Sequence, residues 1–207
     1  MSLESLKILL NRRRQRFVCT PAGVDTDNKN DFTALITHKV TPPIEASRLK
    51  QLEKEIGCHD QLFELLSTYG SIRLYCDTLS EDSAFYVAHP DEWQELQEDF
   101  SIWLDDLDDD EEEDLLPDWI DNVIVIGEIP SSGSYYLLPT VGAEKGKVYE
   151  FEHDGFEFIK VGEDIFSFVD KICTVTDDLI GNILSHTRYS DGKTDIQWLA
   201  QKYVYDE

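Results

Sequence analysis

The stretch KVYEFEHDGFEFIK, Lys147 to Lys160, decides the architecture. Two runs of β-formers, Lys147 to Glu152 and Phe156 to Lys160, flank Asp154-Gly155. Both members of that dipeptide tolerate positive φ, which makes it the strongest short-range sign of an antiparallel hairpin. The same logic extends upstream. Asn122 to Ile126 (NVIVI) and Ser134 to Leu138 (SYYLL) read as strands, with the turn residues Pro130-Ser131-Ser132-Gly133 between them. Gaps this short force neighbouring strands to run antiparallel, because a parallel pair needs a crossover of a dozen or more residues.

Further out, Ser71 to Cys76 alternates Ile72, Leu74 and Cys76 with Arg73 and Tyr75, the pattern of a half-buried strand, and Ala84 to Ala88 is its hairpin partner. Ahead of them lie two helices. One spans about Glu45 to Ile56, with Leu49, Leu52 and Ile56 on one stripe and Gly57 as its left-handed cap. The other spans Asp60 to Tyr69, with Asp60 placed to accept the first backbone N–H groups and Gly70 at the end. A third helix begins at Pro90, whose missing N–H has no partner to lose there. Its Trp93, Leu96, Phe100, Trp103, Leu104 and Leu107 recur at spacings of three and four, which reads as core rather than as an exposed docking face.

Asp164 to Ile172 is helical, with Ile165, Phe168, Val169 and Ile172 in register. Two more short helices are expected near the end. One runs around Leu179 to Leu184 and the other contains Ile196, Trp198, Leu199 and Tyr203, with Ser190-Asp191-Gly192 separating them. At the start, Leu3, Leu6, Leu9 and Leu10 have helical spacing, and Arg12, Arg13, Arg14 and Arg16 follow directly. Thr20 to Asp31 reads as a loop and Phe32 to Val40 as a short strand stopped by Thr41-Pro42-Pro43. The expected fold is α+β, a largely antiparallel sheet of about five or six strands flanked by helices. Residues 42–172 form the domain, with an acidic insertion at 105–114; residues 1–41 and 173–207 are extensions, the latter helical.

Charge narrows the function. The 207 residues carry 43 acidic and 18 basic side chains, a formal net charge of −25, and 41% of them are hydrophobic, enough for one sizeable core. Nine of the ten residues from Asp105 to Asp114 are acidic. Such a chain repels phosphate backbones and anionic membranes and attracts basic surfaces, so neither nucleic acid nor membrane is an expected partner. The basic cluster follows the short apolar stretch at the N-terminus instead of preceding it, which is the wrong order for a signal peptide. Cys19, Cys58, Cys76 and Cys173 form no CxxC pair and read as reduced thiols, so the cytoplasm is the expected compartment.

No reaction chemistry stands out. The five histidines are scattered, and the one Cys/His neighbour pair, Cys58-His59, points its side chains about 100° apart if helical, poor geometry for a nucleophile and its base. HExxH, a Cys/His quartet and EF-hand spacing are all missing, and the Gly-containing segments at 127–133 and 142–146 match neither GxGxxG nor the Walker pattern. No catalytic residue, cofactor or metal is expected. The arginine cluster at 12–16 is expected to be solvated or to pair with acidic groups.

The ordered set of motifs resembles the SUKH superfamily, the group that contains the cell-wall-assembly regulator (Smi/Knr) domain and many bacterial immunity proteins. The resembling parts are Pro42-Pro43-Ile44 leading into the helix pair with Leu52, Glu53 and Gly57, then Tyr69-Gly70; next Val125-Ile126-Gly127-Glu128 with Ser132-Gly133-Ser134-Tyr135-Tyr136-Leu137; and Gly146-Lys147-Val148-Tyr149, the hairpin, and Phe166-Ser167-Phe168-Val169. This chain departs from the family with Cys58-His59 and Tyr69-Gly70-Ser71, where Leu-Pro and Asn-Gly-Gly are common.

The resemblance implies a single α+β domain without catalytic activity. In bacteria such domains bind and neutralise toxins, often nucleases; other members are cytosolic scaffolds or adaptors with no toxin partner. The expectation is therefore a binding protein for a basic partner, a toxin domain first and a regulatory scaffold role second. The residues expected to touch that partner are Asp105, Asp106, Asp108, Asp109, Asp110, Glu111, Glu112 and Glu113.

Overall fold

The computed structural model describes residues 3–23, 31–105, 107 and 115–206. Its centre is one antiparallel sheet of nine strands: β1 (Arg13–Pro21), β2 (Phe32–Val40), β3 (Ile72–Asp77), β4 (Phe85–Val87), β5 (Val123–Ile129), β6 (Ser134–Pro139), β7 (Val148–Glu152), β8 (Glu157–Gly162) and β9 (Trp198–Asp206). The order across the sheet is β8-β7-β6-β5-β4-β3-β2-β1-β9. Strands β1 to β8 follow one another across the sheet, and β9 returns to the outer edge of β1. The described residues also form six α-helices: α1 (Glu4–Asn11), α2 (Ala46–Ile56), α3 (Asp60–Leu66), α4 (Trp93–Asp105), α5 (Ile165–Cys173) and α6 (Asp177–His186).

The sheet is larger than the five or six strands expected, and the ends of the chain account for the surplus. Arg13–Pro21, expected as a basic patch running into a loop, is β1, with Gln15, Phe17, Cys19 and Pro21 buried at alternate positions. The segment with Ile196, Trp198, Leu199 and Tyr203, expected as a helix, instead gives β9, which pairs antiparallel with β1 from Arg13↔Asp206 to Pro21↔Trp198. The free edge of β1 supplies a ladder of backbone partners that outweighs the weak helical spacing of so short a segment.

Local signals explain most other elements. Asp164 and Ser167 form a capping box at the start of α5: the Ser167 N–H donates to Asp164 Oδ1 (2.7 Å), and the Asp164 N–H donates to Ser167 Oγ (3.0 Å). At α3 the cap position falls to His59, and Asp60 instead accepts from the Cys58 thiol. The β7–β8 hairpin forms where Asp154-Gly155 predicts it, with a different turn. The residue at positive φ is Phe156 (51°), and the Glu152 carboxylate takes the N–H groups of Asp154 (3.1 Å) and Gly155 (2.7 Å). The Phe156 ring packs 5.0 Å from Phe151, which offsets its backbone strain.

Helices cover both faces of the sheet. On one, Phe100 of α4 meets Tyr135 (5.8 Å) and Phe151 (5.3 Å). On the other, Phe168 of α5 meets Tyr136 (4.7 Å), and the Tyr75 hydroxyl donates to the Ile172 carbonyl (3.1 Å). In β5 a bulge near Gly127 brings the chain so close to β4 that a Cβ there would sit 2.1 Å from the Tyr86 carbonyl oxygen. That backbone approach admits glycine alone.

Candidate functional site

The acidic helix α4 is built from its two ends. Pro90 opens a 3₁₀ turn that leads into it, with His89 as the capping residue whose Nδ1 accepts from the Asp91 N–H (3.3 Å). Trp93, Leu96 and Phe100 are buried, and Gln97 reaches down to accept from the Val125 N–H of β5 (3.3 Å). At the far end, the Trp103 indole packs tilted against His153 of the β7–β8 hairpin, ring centres 5.0 Å apart. This anchoring turns one stripe outward: Glu95, Glu98, Asp99, Ile102 and Asp105 are all exposed, four of them carboxylates.

Neighbouring strands extend the charge. Glu92 holds the Tyr86 hydroxyl through both carboxylate oxygens (2.7 and 2.6 Å), and the Arg73 guanidinium lies 3.5 Å over the Tyr86 ring. Glu128 faces Tyr86 across the β4–β5 ladder. Burial raises its carboxyl pKa, Asp99, Glu92 and Glu95 push the same way, and Arg73 opposes them. Burial, more than the surrounding carboxylates, disfavours ionisation of Glu128.

The direction of the helix sharpens the effect. The C-terminal end of a helix is its negative pole, where cations stabilise and anions destabilise. No basic residue occupies the last turn of α4, and Asp105 sits there instead. At that pole an aspartate costs the helix stability.

Of the residues expected to touch a partner, Asp105 ends this stripe. Asp106, Asp108, Asp109, Asp110, Glu111, Glu112 and Glu113 lie outside the described residues. Glu95, Glu98, Asp99 and Glu128 were missed in the sequence. The first three repeat with the period of α4 and were legible there; Glu128 joins them only through strand pairing.

The other candidate residues are dispersed. Arg14 and Arg16 both bind Asp206 of β9 (3.3 and 3.2 Å), and Arg12 lies over the Tyr205 ring (4.3 Å). Cys58 is exposed, and its thiol donates to Asp60 (2.9 Å), which raises its pKa. Burial pushes Cys19 up to about 12. Glu152, His153 and Asp154 bring potential ligand atoms within 4.8 Å of one another, but the Glu152 oxygens are already engaged by the hairpin N–H groups. No helix among the described residues is long and apolar enough to cross a membrane. No family model matches this sequence, and no curated protein matches it either.

Proposed function

We propose that the protein is a non-catalytic binding module that captures a cationic protein through the acidic face of α4 and the run that continues it. The observation that carries this reading is the exposed stripe Glu95, Glu98, Asp99 and Asp105, which ends in a run of nine acidic residues in ten. Low-potential surfaces of this kind steer positively charged partners and raise association rates by ~10–10³. Exposed Ile102 gives the stripe an apolar contact in its middle. The raised pKa values of the Cys19 and Cys58 thiols disfavour thiolate chemistry, which supports a binding role over nucleophilic catalysis.

The SUKH-like order of motifs favours a toxin domain as the partner, neutralised by steric block in the cytoplasm. The experiment starts from the partner identified by affinity capture in the native host. Asp105, Asp106, Asp108, Asp109, Asp110, Glu111, Glu112 and Glu113 are replaced together by Ser, and association with that purified partner is followed at several salt concentrations. Association slows by about tenfold or more and loses most of its salt dependence. Kinetics equal to those of the native chain would discard the acidic surface as the contact.

A further inference from the structure

The sheet face opposite α4 also carries a carboxylate. Glu150 pairs with Tyr136 in the β6–β7 ladder and alternates with Tyr149 and Phe151, which turn toward α4 and its neighbours. It therefore points to the side covered by α5 and α6. There it lines a cleft of about 390 Å³ with an apolar floor of Phe85, Tyr136, Phe168 and Leu179. Lys171 and Asp178 stand at the same cleft.

A carboxylate on such a floor is costly unless a cation or hydrogen-bond donors meet it. Among the described residues Glu150 has no salt-bridge partner; Lys171 acts on it only through space. Burial raises its carboxyl pKa, Lys171 opposes, and Glu152 adds to the rise. The cleft offers a site for positive charge. Glu150 and Asp178 outnumber Lys171, and the field of the whole chain, at −25, excludes anions and concentrates cations.

We propose that this cleft receives an arginine or lysine side chain of the cationic partner, its stem within the cleft and its charged head at Glu150 and Asp178. The proposal rests on the partner being cationic, as argued above. It adds a second contact on the face away from α4, an apolar-walled anchor distinct from the solvated acidic stripe.

The cleft can be tested without the partner. The full chain is titrated with n-butylguanidinium, a mimic of the arginine side chain, and with the neutral isostere n-butylurea, while backbone amide shifts are followed by NMR. Saturable shifts are expected at Tyr136, Glu150, Ile172 and Leu179 with the cation, and binding of the urea is weaker by about tenfold or more. Glu150→Gln weakens cation binding by about tenfold, and Lys171→Ala strengthens it several-fold by removing the competing charge. Equal binding of n-butylurea overturns the proposal, as do saturable shifts confined to α4, no saturable shift at all, or an unchanged affinity in Lys171→Ala. Should Glu150→Gln fail to fold, the two probes on the native chain and the Lys171→Ala variant still decide. A negative result here leaves the acidic stripe standing, and failure of the serine replacements leaves the cleft standing.

Discussion

The backbone N–H of Tyr75 donates to Nδ1 of His38 over 3.0 Å, closing the bulge where β2 and β3 change register. Leu74 and Tyr75 of β3 there face the single residue His38, and Tyr75 adopts a left-handed φ of 55°. Because Nδ1 accepts, Nε2 carries the proton and donates to Gln15 Oε1 (2.7 Å). Gln15 in turn donates to the carbonyls of Leu9 and Arg12 (both 3.1 Å) and accepts from the Tyr203 hydroxyl. One neutral imidazole thus ties α1, β1, β2, β3 and β9 together.

That arrangement predicts an acid-sensitive fold. Burial, with the Arg12 charge adding to it, lowers the His38 pKa from 6.5 to about 4. As pH falls from about 6.5 to about 4, the unfolded chain takes up a proton here that the folded chain refuses, so stability drops across that window and not above it. The full difference is roughly 3 kcal/mol. Burial lowers His186 likewise to about 4, with Arg188 adding to it, so both contribute. Urea midpoints of the native chain and of His38→Gln, measured from pH 7 to 4, check this. The variant starts less stable and loses less on acidification; parallel curves would count against it.

Gly127→Ala forces a Cβ onto the Tyr86 carbonyl oxygen at 2.1 Å, where backbone on both sides has no room to yield. The expected loss is about 3 kcal/mol or more, read from the urea midpoint, with separation of β4 from β5 as its cause.

Asp105→Lys moves stability and binding in opposite directions. A cation at the C-terminal end of α4 complements the helix pole and stabilises by roughly 0.3–1 kcal/mol. The same change removes negative charge from the proposed contact and slows association with the cationic partner. Thermal unfolding and association kinetics on one preparation test both signs.

Deletion of residues 198–207 uncovers the outer edge of β1 and the aromatic group it carries, where Phe17 lies 5.3 Å from Tyr189 and 5.7 Å from Tyr203. An exposed edge of nine residues pairs with other chains, so the shortened protein self-associates. Light scattering after size exclusion gives the outcome. A folded, monomeric product would mean that β9 only decorates the sheet.

The hairpin at 147–160 was legible because its information is local: alternation of side chains and a turn dipeptide between two runs. Even there the turn differed, since packing of Phe156 on Phe151 selected the left-handed residue. The capped helix α5 was legible for the same reason. β9 and the outer edge of β1 were not, because they pair across nearly the whole chain, Arg16 with Val204, in a ladder that local spacing does not encode. For Arg14 and Arg16 the sequence left solvation and an acidic partner both open; the identity of that partner, Asp206, follows only from the ladder.

By itself, the order of residues determined the antiparallel character of the sheet, the helices with caps and periodic apolar stripes, and the excess of negative charge. These depend on interactions within a few positions or on composition alone. Tertiary structure decided that the chain ends complete the sheet and that Glu128 joins the stripe on α4. It also decided that Glu150 lies on the opposite face over aromatic rings. Each of those outcomes depends on which strands pair, and pairing is set by burial of the whole core rather than by any short segment.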